Sequence, residues 1–483
     1  MKIIPLCILL LFICATGKTI AQVQPAYPEF RDELPLKLKE DSSSKLLVRE
    51  ITIKGNKKTR SYIILREILL KKGDSVIAGK LMELVTLSKN LVYNSNLFLE
   101  VDIQPILESA FELRLEVTVK ERWYILPIPQ FKLTDRNFNE WYKVYNADFN
   151  RVIYGAKFTH YNFSGRGDQL RVSLLSGYAR SLSFSYAAPA SNNALTEGYS
   201  IATSYTQNRE IPIQTSQNNK LIEFKRDDFV RDNFAISLSY RIRRGYFIRH
   251  FFAAQYSYTK VNDSIVTPNY NPSYFNTSKS YAHIPEISYA FLYSNTNNIN
   301  YPQKGKIYGF TLNKRGLSFT GGTNMLSIEG SYRLFIPHQH QFFSSIEAAA
   351  KLKLPFRQAY INQRALGYNE FYLRGLEYYV IDGYAAALVR YTLAKKLFSF
   401  RIPVPFHIRQ IPYLPFSFYG KAFGDAGFAN NTKEYNTLLN NRALYTYGVG
   451  IDILALYDTA IRLEYSFNQL GEKGLFLHVK GGF

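Results

Sequence analysis

From Trp123 to Phe483 apolar and polar side chains alternate with a period of two, and helical periodicity is missing. That period puts successive side chains on opposite faces of a strand. It recurs in segments of roughly ten residues, the length a tilted strand needs to cross a bilayer. Tyr445, Tyr447, Val449, Ile451 and Ile453 oppose Thr446, Gly448, Gly450 and Asp452. In the next segment Ile461, Leu463, Tyr465 and Phe467 oppose Arg462, Glu464 and Ser466. The chain then finishes with Leu475, Leu477, Val479, Gly481 and Phe483 against Phe476, His478, Lys480 and Gly482. A charge on one face of an apolar strand is costly against lipid and acceptable against a wet lumen. In a soluble protein such alternation builds a β-sandwich, but about 360 residues of it exceed one ordinary sandwich. The expected fold is a transmembrane antiparallel β-barrel.

Sixteen segments qualify as strands: 123–132, 152–163, 168–177, 180–188, 199–209, 233–244, 250–261, 281–293, 306–316, 323–335, 341–354, 381–391, 414–421, 444–454, 459–467 and 475–483. An even count places both barrel ends on one side of the membrane. The longer connections at 133–151, 210–232, 262–280, 355–380 and 422–443 then fall on the outer surface. Segments 219–232 and 393–413 follow no clear period. A mean hydropathy of −0.18 is too polar for a helical membrane protein, and the 16% aromatic content suits a barrel.

Residues 1–21 read as a secretory signal peptide: Lys2 at the start, an apolar core from Ile8 to Ile13, and small residues near Ala21 before a cut at Gln22. Cys14 would suggest a lipoprotein, but Ile13 is bulky where lipoprotein signals want a small residue. Cys7 and Cys14 both fall inside this signal, so the mature chain has neither a disulfide nor a thiolate metal site. Removing Lys2 and Lys18 from the formal net charge of +21 leaves +19. Such a basic chain suits a water-filled lumen and anionic headgroups at the rims better than nucleic acid.

Residues 22–44, with Pro25, Pro28 and Pro35, read as a flexible leader. Residues 46–121 then change pattern. Val48 to Ile53 alternates as a strand, and Thr59 stands where it would cap a helix bearing Ile64, Leu65, Ile68 and Leu69. A second helix from about Lys80 to Tyr93 carries Leu84, Leu87 and Leu91 on one face. Two strands follow, Phe98 to Ile103 and Leu113 to Val119. The order β-α-α-β-β suffices for one small core, and residues 123–483 form the barrel.

A β-α-α-β-β module feeding a sixteen-stranded barrel resembles the POTRA-plus-barrel superfamily of outer-membrane assembly factors, bacterial surface antigens and two-partner secretion transporters. Asn94-Ser95-Asn96-Leu97-Phe98 is similar to the family's helix-to-strand turn, with Asn96 where Gly is usual. Val117-Thr118-Val119-Lys120-Glu121 resembles the module's last strand. Asn162-Phe163-Ser164-Gly165-Arg166-Gly167 and Tyr301-Pro302-Gln303-Lys304-Gly305 resemble two periplasmic turns. Leu373-Arg374-Gly375-Leu376, ahead of the last five strands, resembles the motif at the tip of an external loop that folds back into the lumen. Phe423-Gly424-Asp425-Ala426-Gly427 resembles a companion motif, so the resemblance implies that Arg374 pairs with Asp425, with Asp382 and Glu377 as other candidates. Leu376 departs from the family in replacing an aromatic, and Val389-Arg390-Tyr391 stands where a glutamate often accompanies the arginine.

The resemblance implies an outer-membrane insertase or translocase with its module in the periplasm of a Gram-negative bacterium. Its partners would be unfolded outer-membrane or secreted proteins, anionic outer-membrane lipid and accessory lipoproteins, and it would need no cofactor. Gly481, Gly482 and Phe483 would weaken barrel closure and carry a C-terminal assembly signal. A two-partner exporter of one dedicated protein and a passive porin are the alternatives. His338-Gln339-His340 lacks a third ligand, so no metal is expected there. The Arg241, Arg243, Arg244 and Arg249 cluster reads as a solvated rim. No nucleophile elbow, Walker loop or zinc-protease motif points to an enzyme.

Overall fold

The computed structural model describes residues 42–133, 141–142, 145–318, 322–404, 413–432 and 435–480. The expected signal peptide, the leader up to residue 41, and Gly481, Gly482 and Phe483 lie outside the described residues.

The N-terminal module contains β1 (Lys45–Lys54), α1 (Ser61–Leu65), β2 (Ser75–Ile77), α2 (Ala78–Tyr93), β3 (Phe98–Leu107) and β4 (Glu112–Glu121). Its sheet runs β2-β1-β4-β3, with β1 parallel and β3 antiparallel to β4. Alternation decides which face of β4 packs inward: Leu113, Leu115, Val117 and Val119 are all buried. The short β2 is an addition to the expected order; it forms because Val76 is buried beside β1.

Two helix readings need correction. In α2 the buried face is Ala78, Leu81, Val85, Ser88, Leu91 and Val92, so Leu91 lies where it was expected while Leu84 and Leu87 lie at the margin. Ser88 earns its place by bonding: its hydroxyl donates to Leu84 O (2.8 Å) and accepts from Leu69 N (3.0 Å). Thr59 does not cap α1, whose N-cap position is Arg60. Its buried hydroxyl bonds instead to the Tyr124 hydroxyl and to Asn162 Nδ2, each at 2.9 Å.

The barrel opens with β5 (Ile125–Leu133), β6 (Val152–Tyr161), β7 (Gln169–Gly177), β8 (Ala179–Ala188) and β9 (Glu197–Asn208). An outer hairpin, β10 (Glu210–Thr215) and β11 (Leu221–Lys225), interrupts it. Next come β12 (Arg231–Arg244), β13 (Ile248–Val261), β14 (Tyr281–Thr296), β15 (Gly305–Arg315), β16 (Met325–Pro337) and β17 (Phe342–Leu354). An inward loop carries β18 (Arg364–Leu366) paired with β19 (Ile381–Asp382). The wall ends with β20 (Ala385–Pro403), β21 (Tyr413–Asn430), β22 (Ala443–Leu454), β23 (Ala460–Asn468) and β24 (Lys473–Lys480).

Sixteen of these strands form one antiparallel sheet in sequence order from β5 to β24. Each overlaps one of the sixteen segments read from the alternation, though Ile381 and Asp382, read as the start of a wall strand, pair with β18 in the inward loop instead. Among the described residues no ladder joins β5 to β24. Alternation also sorts the faces: Tyr445, Tyr447 and Val449 are 55–57% exposed on the lipid side, while Thr446 and Asp452 are 3–4% exposed on the inner side. The segments without clear period divide in two. Residues 393–403 and 413–430 prolong β20 and β21, so 422–430 belongs to the wall and not to a connection. In the other segment, 219–232, the outer hairpin takes in residues up to Lys225 and β12 begins at Arg231.

Candidate functional site

The inward loop is anchored by apolar side chains on both sides of its arginine. Leu373 and Leu376 pack with Leu388 on β20, Ala429 on β21 and Leu444 on β22. Gly375 between them has φ +93°, and a Cβ there would lie 2.9 Å from the Ser466 side chain. Only glycine accepts both that conformation and that approach. Leu376 is fully enclosed, so an aliphatic side chain fills the place of the family aromatic.

This anchoring aims Arg374 at the lumen wall. Its Nη2 donates to Asp425 Oδ1 at 2.5 Å and its Nε to Oδ2 at 3.0 Å. The Arg374 backbone N–H also donates to Asp425 Oδ2, at 2.9 Å. Nη1 reaches Thr392 Oγ1 at 2.9 Å, Nη2 reaches Tyr391 O at 3.2 Å, and the Phe423 ring lies 4.1 Å from the guanidinium carbon. A planar fork matched to a buried carboxylate suits arginine and not lysine. The other two candidate acids are occupied elsewhere: Asp382 with Thr215 and Tyr368, Glu377 with Gly375 N and His478.

Next to this pair lies a charged network not identified in the sequence. Lys421 on β21 bridges Asp452 on β22 (2.5 Å) and Glu464 on β23 (2.6 Å). Tyr301, from the Pro302–Gly305 turn, donates to Asp452 Oδ2 at 3.0 Å and packs on Tyr419 and Phe343. Gln303 Nε2 donates to the Tyr419 hydroxyl at 2.9 Å. This periplasmic turn therefore reaches into the barrel floor. Its signal was the placement of Asp452 and Glu464 on the inward face of alternating strands.

The module docks against the periplasmic turns. Asn162, at φ +55°, is buried, and its Oδ1 accepts from Gly167 N at 2.8 Å while its Nδ2 reaches Thr59. Gly165, at φ +84°, accepts at its carbonyl from Arg60 N at 3.0 Å. In the helix-to-strand turn, Asn94 donates to Thr296 O (2.8 Å) and accepts from Ile299 N (2.9 Å), and Asn96 stands at φ +61°. Tyr93 donates to Asp458 at 2.8 Å.

Arg243 departs from the solvated-rim expectation. It is buried and forks onto Glu67 of the module at 2.5 and 2.6 Å, with Arg66 2.9 Å from the same carboxylate. Burial pushes the Glu67 carboxyl up, but the hydrogen bonds and charge of Arg243 and the charge of Arg66 outweigh it and hold it below its ordinary value.

On the outer side, the connections are also bonded to one another. Asn219, at the tip of the outer hairpin, is fully buried, with φ +58°. Its Nδ2 donates to Val380 O (2.9 Å) and Thr437 Oγ1 (2.8 Å), and its Oδ1 accepts from Leu439 N (2.8 Å). One side chain thus ties together three external connections.

On the periplasmic side, β3 pairs only with β4 among the described residues, so its outer edge is unpaired there. That edge borders a cavity of about 940 Å³ shared with the barrel and lined by Glu100, Asp102 and Arg122 on one side and Arg401, Tyr413 and Tyr457 on the other.

An outer-membrane barrel carrying one periplasmic POTRA domain is the class these features define. The Omp85 superfamily domain matches residues 162–467, and the surface antigen variable number repeat, a POTRA domain, matches residues 46–122. The chain belongs to the Omp85 superfamily, at whose level its role is that of an outer-membrane insertase or two-partner transporter. No curated protein matches it. Among solved structures, CdiB from Escherichia coli is similar over 90% of this chain and 75% of its own, at 12% identity and TM-score 0.50, a likeness of fold. BamA from Haemophilus ducreyi lacking POTRA domains 1–3 aligns with 90% of this chain and 84% of its own, at 14% identity and TM-score 0.45.

Proposed function

We propose that the protein takes unfolded outer-membrane or secreted chains at the free edge of β3 and assists their insertion or passage at the seam between β5 and β24. The observation that carries this is the β3 edge, unpaired among the described residues, beside the cavity shared with the barrel. An extended client adds to such an edge through backbone hydrogen bonds, which tolerate many sequences. The Arg374 loop then serves as a brace that holds β20 to β23 in one arrangement while the seam opens. Accessory lipoproteins and anionic lipid would meet the module and the basic rims. A loop packed on the inner wall of the barrel argues against a passive porin. The likeness to CdiB keeps a dedicated two-partner exporter as the second reading.

The test is purified protein in liposomes given a urea-unfolded outer-membrane barrel, with client folding followed by protease protection. Acceleration over empty liposomes, lost on deleting residues 46–120, is expected. Absence of acceleration despite a folded barrel refutes the insertase reading in favour of the exporter.

A further inference from the structure

We propose that Glu377, Glu464 and His478 form a divalent-metal site, suited to Zn²⁺, that clamps the inward loop to the last barrel strands. The three residues come from three elements: Glu377 follows the Arg374 motif, Glu464 lies on β23 and His478 on β24. One ligand atom of each lies within 4.8 Å of the other two. His478 Nε2 is 3.3 Å from Glu377 Oε1 and 3.6 Å from Glu464 Oε2. Zinc bonds of about 2.0–2.2 Å in a tetrahedron set neighbouring ligand atoms about 3.3–3.6 Å apart, so the two separations from His478 match edges of a zinc tetrahedron.

Each ligand is held in place from behind. Glu377 accepts from Gly375 N (2.7 Å) at Oε2, which turns Oε1 toward the imidazole. Glu464 accepts from Lys421 at Oε1, and its Oε2 is buried without a hydrogen-bond partner among the described residues. The His478 ring lies against Tyr372, with centroids 5.6 Å apart and 29° between planes. Outer partners that orient ligating atoms are the usual company of a metal site. A lone buried carboxylate oxygen is costly unless a proton donor or cation meets it. The His478 side chain is 27% exposed, which leaves a route of entry from the lumen. Two carboxylates and one imidazole suit a borderline ion such as Zn²⁺ better than Mg²⁺ or Ca²⁺, which prefer oxygen and water alone.

A metal here would fasten β24, one of the two strands beside the seam. That regulatory consequence rests on the proposed function; the binding site does not. The experiment is calorimetric titration of Zn²⁺ into the full-length protein, freed of metal by chelator in detergent, with heat-induced unfolding followed with and without the metal. One zinc per chain is expected, with a higher unfolding midpoint. His478→Ala and Glu377→Gln should each weaken binding about tenfold or more and remove the midpoint shift. His338→Ala/His340→Ala should leave both unchanged. Equal binding by wild type and His478→Ala, or loss of binding in the His338/His340 variant, overturns the site. Should His478→Ala fail to fold, Glu377→Gln alone decides, since it alters only the loop.

Discussion

Replacing Arg374 by Ala takes five hydrogen-bond contacts down to the single backbone donor that Asp425 keeps. The Asp425 side chain is fully enclosed and that of Arg374 is 10% exposed. Breaking a buried pair by removing one partner costs about 3–5 kcal/mol. The lower end applies here, because a detached loop lets water reach the carboxylate. About 3 kcal/mol is roughly a hundredfold shift in the ratio of docked to undocked loop. Hydrogen exchange at the amides of residues 373–382 should therefore quicken about a hundredfold, with the wall strands β12 to β16 unchanged. Arg374→Lys should fall between, since an ammonium cannot reproduce the fork. The double variant Arg374→Ala/Asp425→Ala should recover part of the loss, because no unpaired charge is left buried. Unchanged amide protection in Arg374→Ala, together with full client-folding activity, would refute the brace.

Two other perturbations follow from the contacts at either end of the barrel. Asn219→Gly keeps the left-handed backbone and deletes only the side chain, leaving Leu439 N and Val380 O short of partners at about 1–3 kcal/mol each; the outer hairpin should become open to protease added outside outer-membrane vesicles, and equal resistance counts against the keystone role. The depressed Glu67 carboxyl makes docking of the module strongest above the free carboxylate value of 4.5 and weaker as pH falls through the lower docked value. A spin-label distance between module and barrel should lengthen in acid for wild type. Glu67→Gln should show the loosened distance at all pH, and a pH-independent wild type contradicts the argument.

The barrel was legible because lipid and lumen force a strict period of two on every wall strand. Where that period failed, the cause is local. In β20 the register shifts between Lys396 and Phe398, which changes the parity of the side chains and hides residues 393–403 from a pattern search. The outer hairpin of β10 and β11 stands clear of lipid and so carries no lipid-facing stripe. At the inward loop, the pairing of Arg374 with Asp425 was legible only through the family resemblance of the two short motifs, since one residue stands in the loop and the other on β21. The Glu67–Arg243 pair, the Thr59–Asn162 contact and the Asn219 keystone had no such signal. Each joins polar residues more than 100 positions apart, and neither period nor spacing encodes that pairing. Glu377, Glu464 and His478 escaped for the same reason, since metal motifs are read by spacing and these come from three elements.

The first barrel strand carries its own argument about the seam. Pro127 faces Phe158 and Pro129 faces Ala156 in the β5–β6 ladder. Proline has no amide hydrogen, so neither residue can occupy a hydrogen-bonded pair with β6. Their missing donors therefore point the other way, to the edge where β24 would close the barrel. Prolines on an edge keep it from pairing fully, which is how open strands are protected. A client strand competing for that edge then displaces a partner that was never fully bonded. Pro127→Val/Pro129→Val restores two donors, at about 0.5–1.5 kcal/mol each, or roughly a five- to hundredfold rise in the closed state. The only native cysteines, Cys7 and Cys14, fall in the expected signal peptide, so cysteine pairs placed across β5 and β24 report closure cleanly. Cross-linking should rise and client insertion slow in the same variant. Were cross-linking to rise with insertion unaffected, clients would be passing somewhere other than this seam.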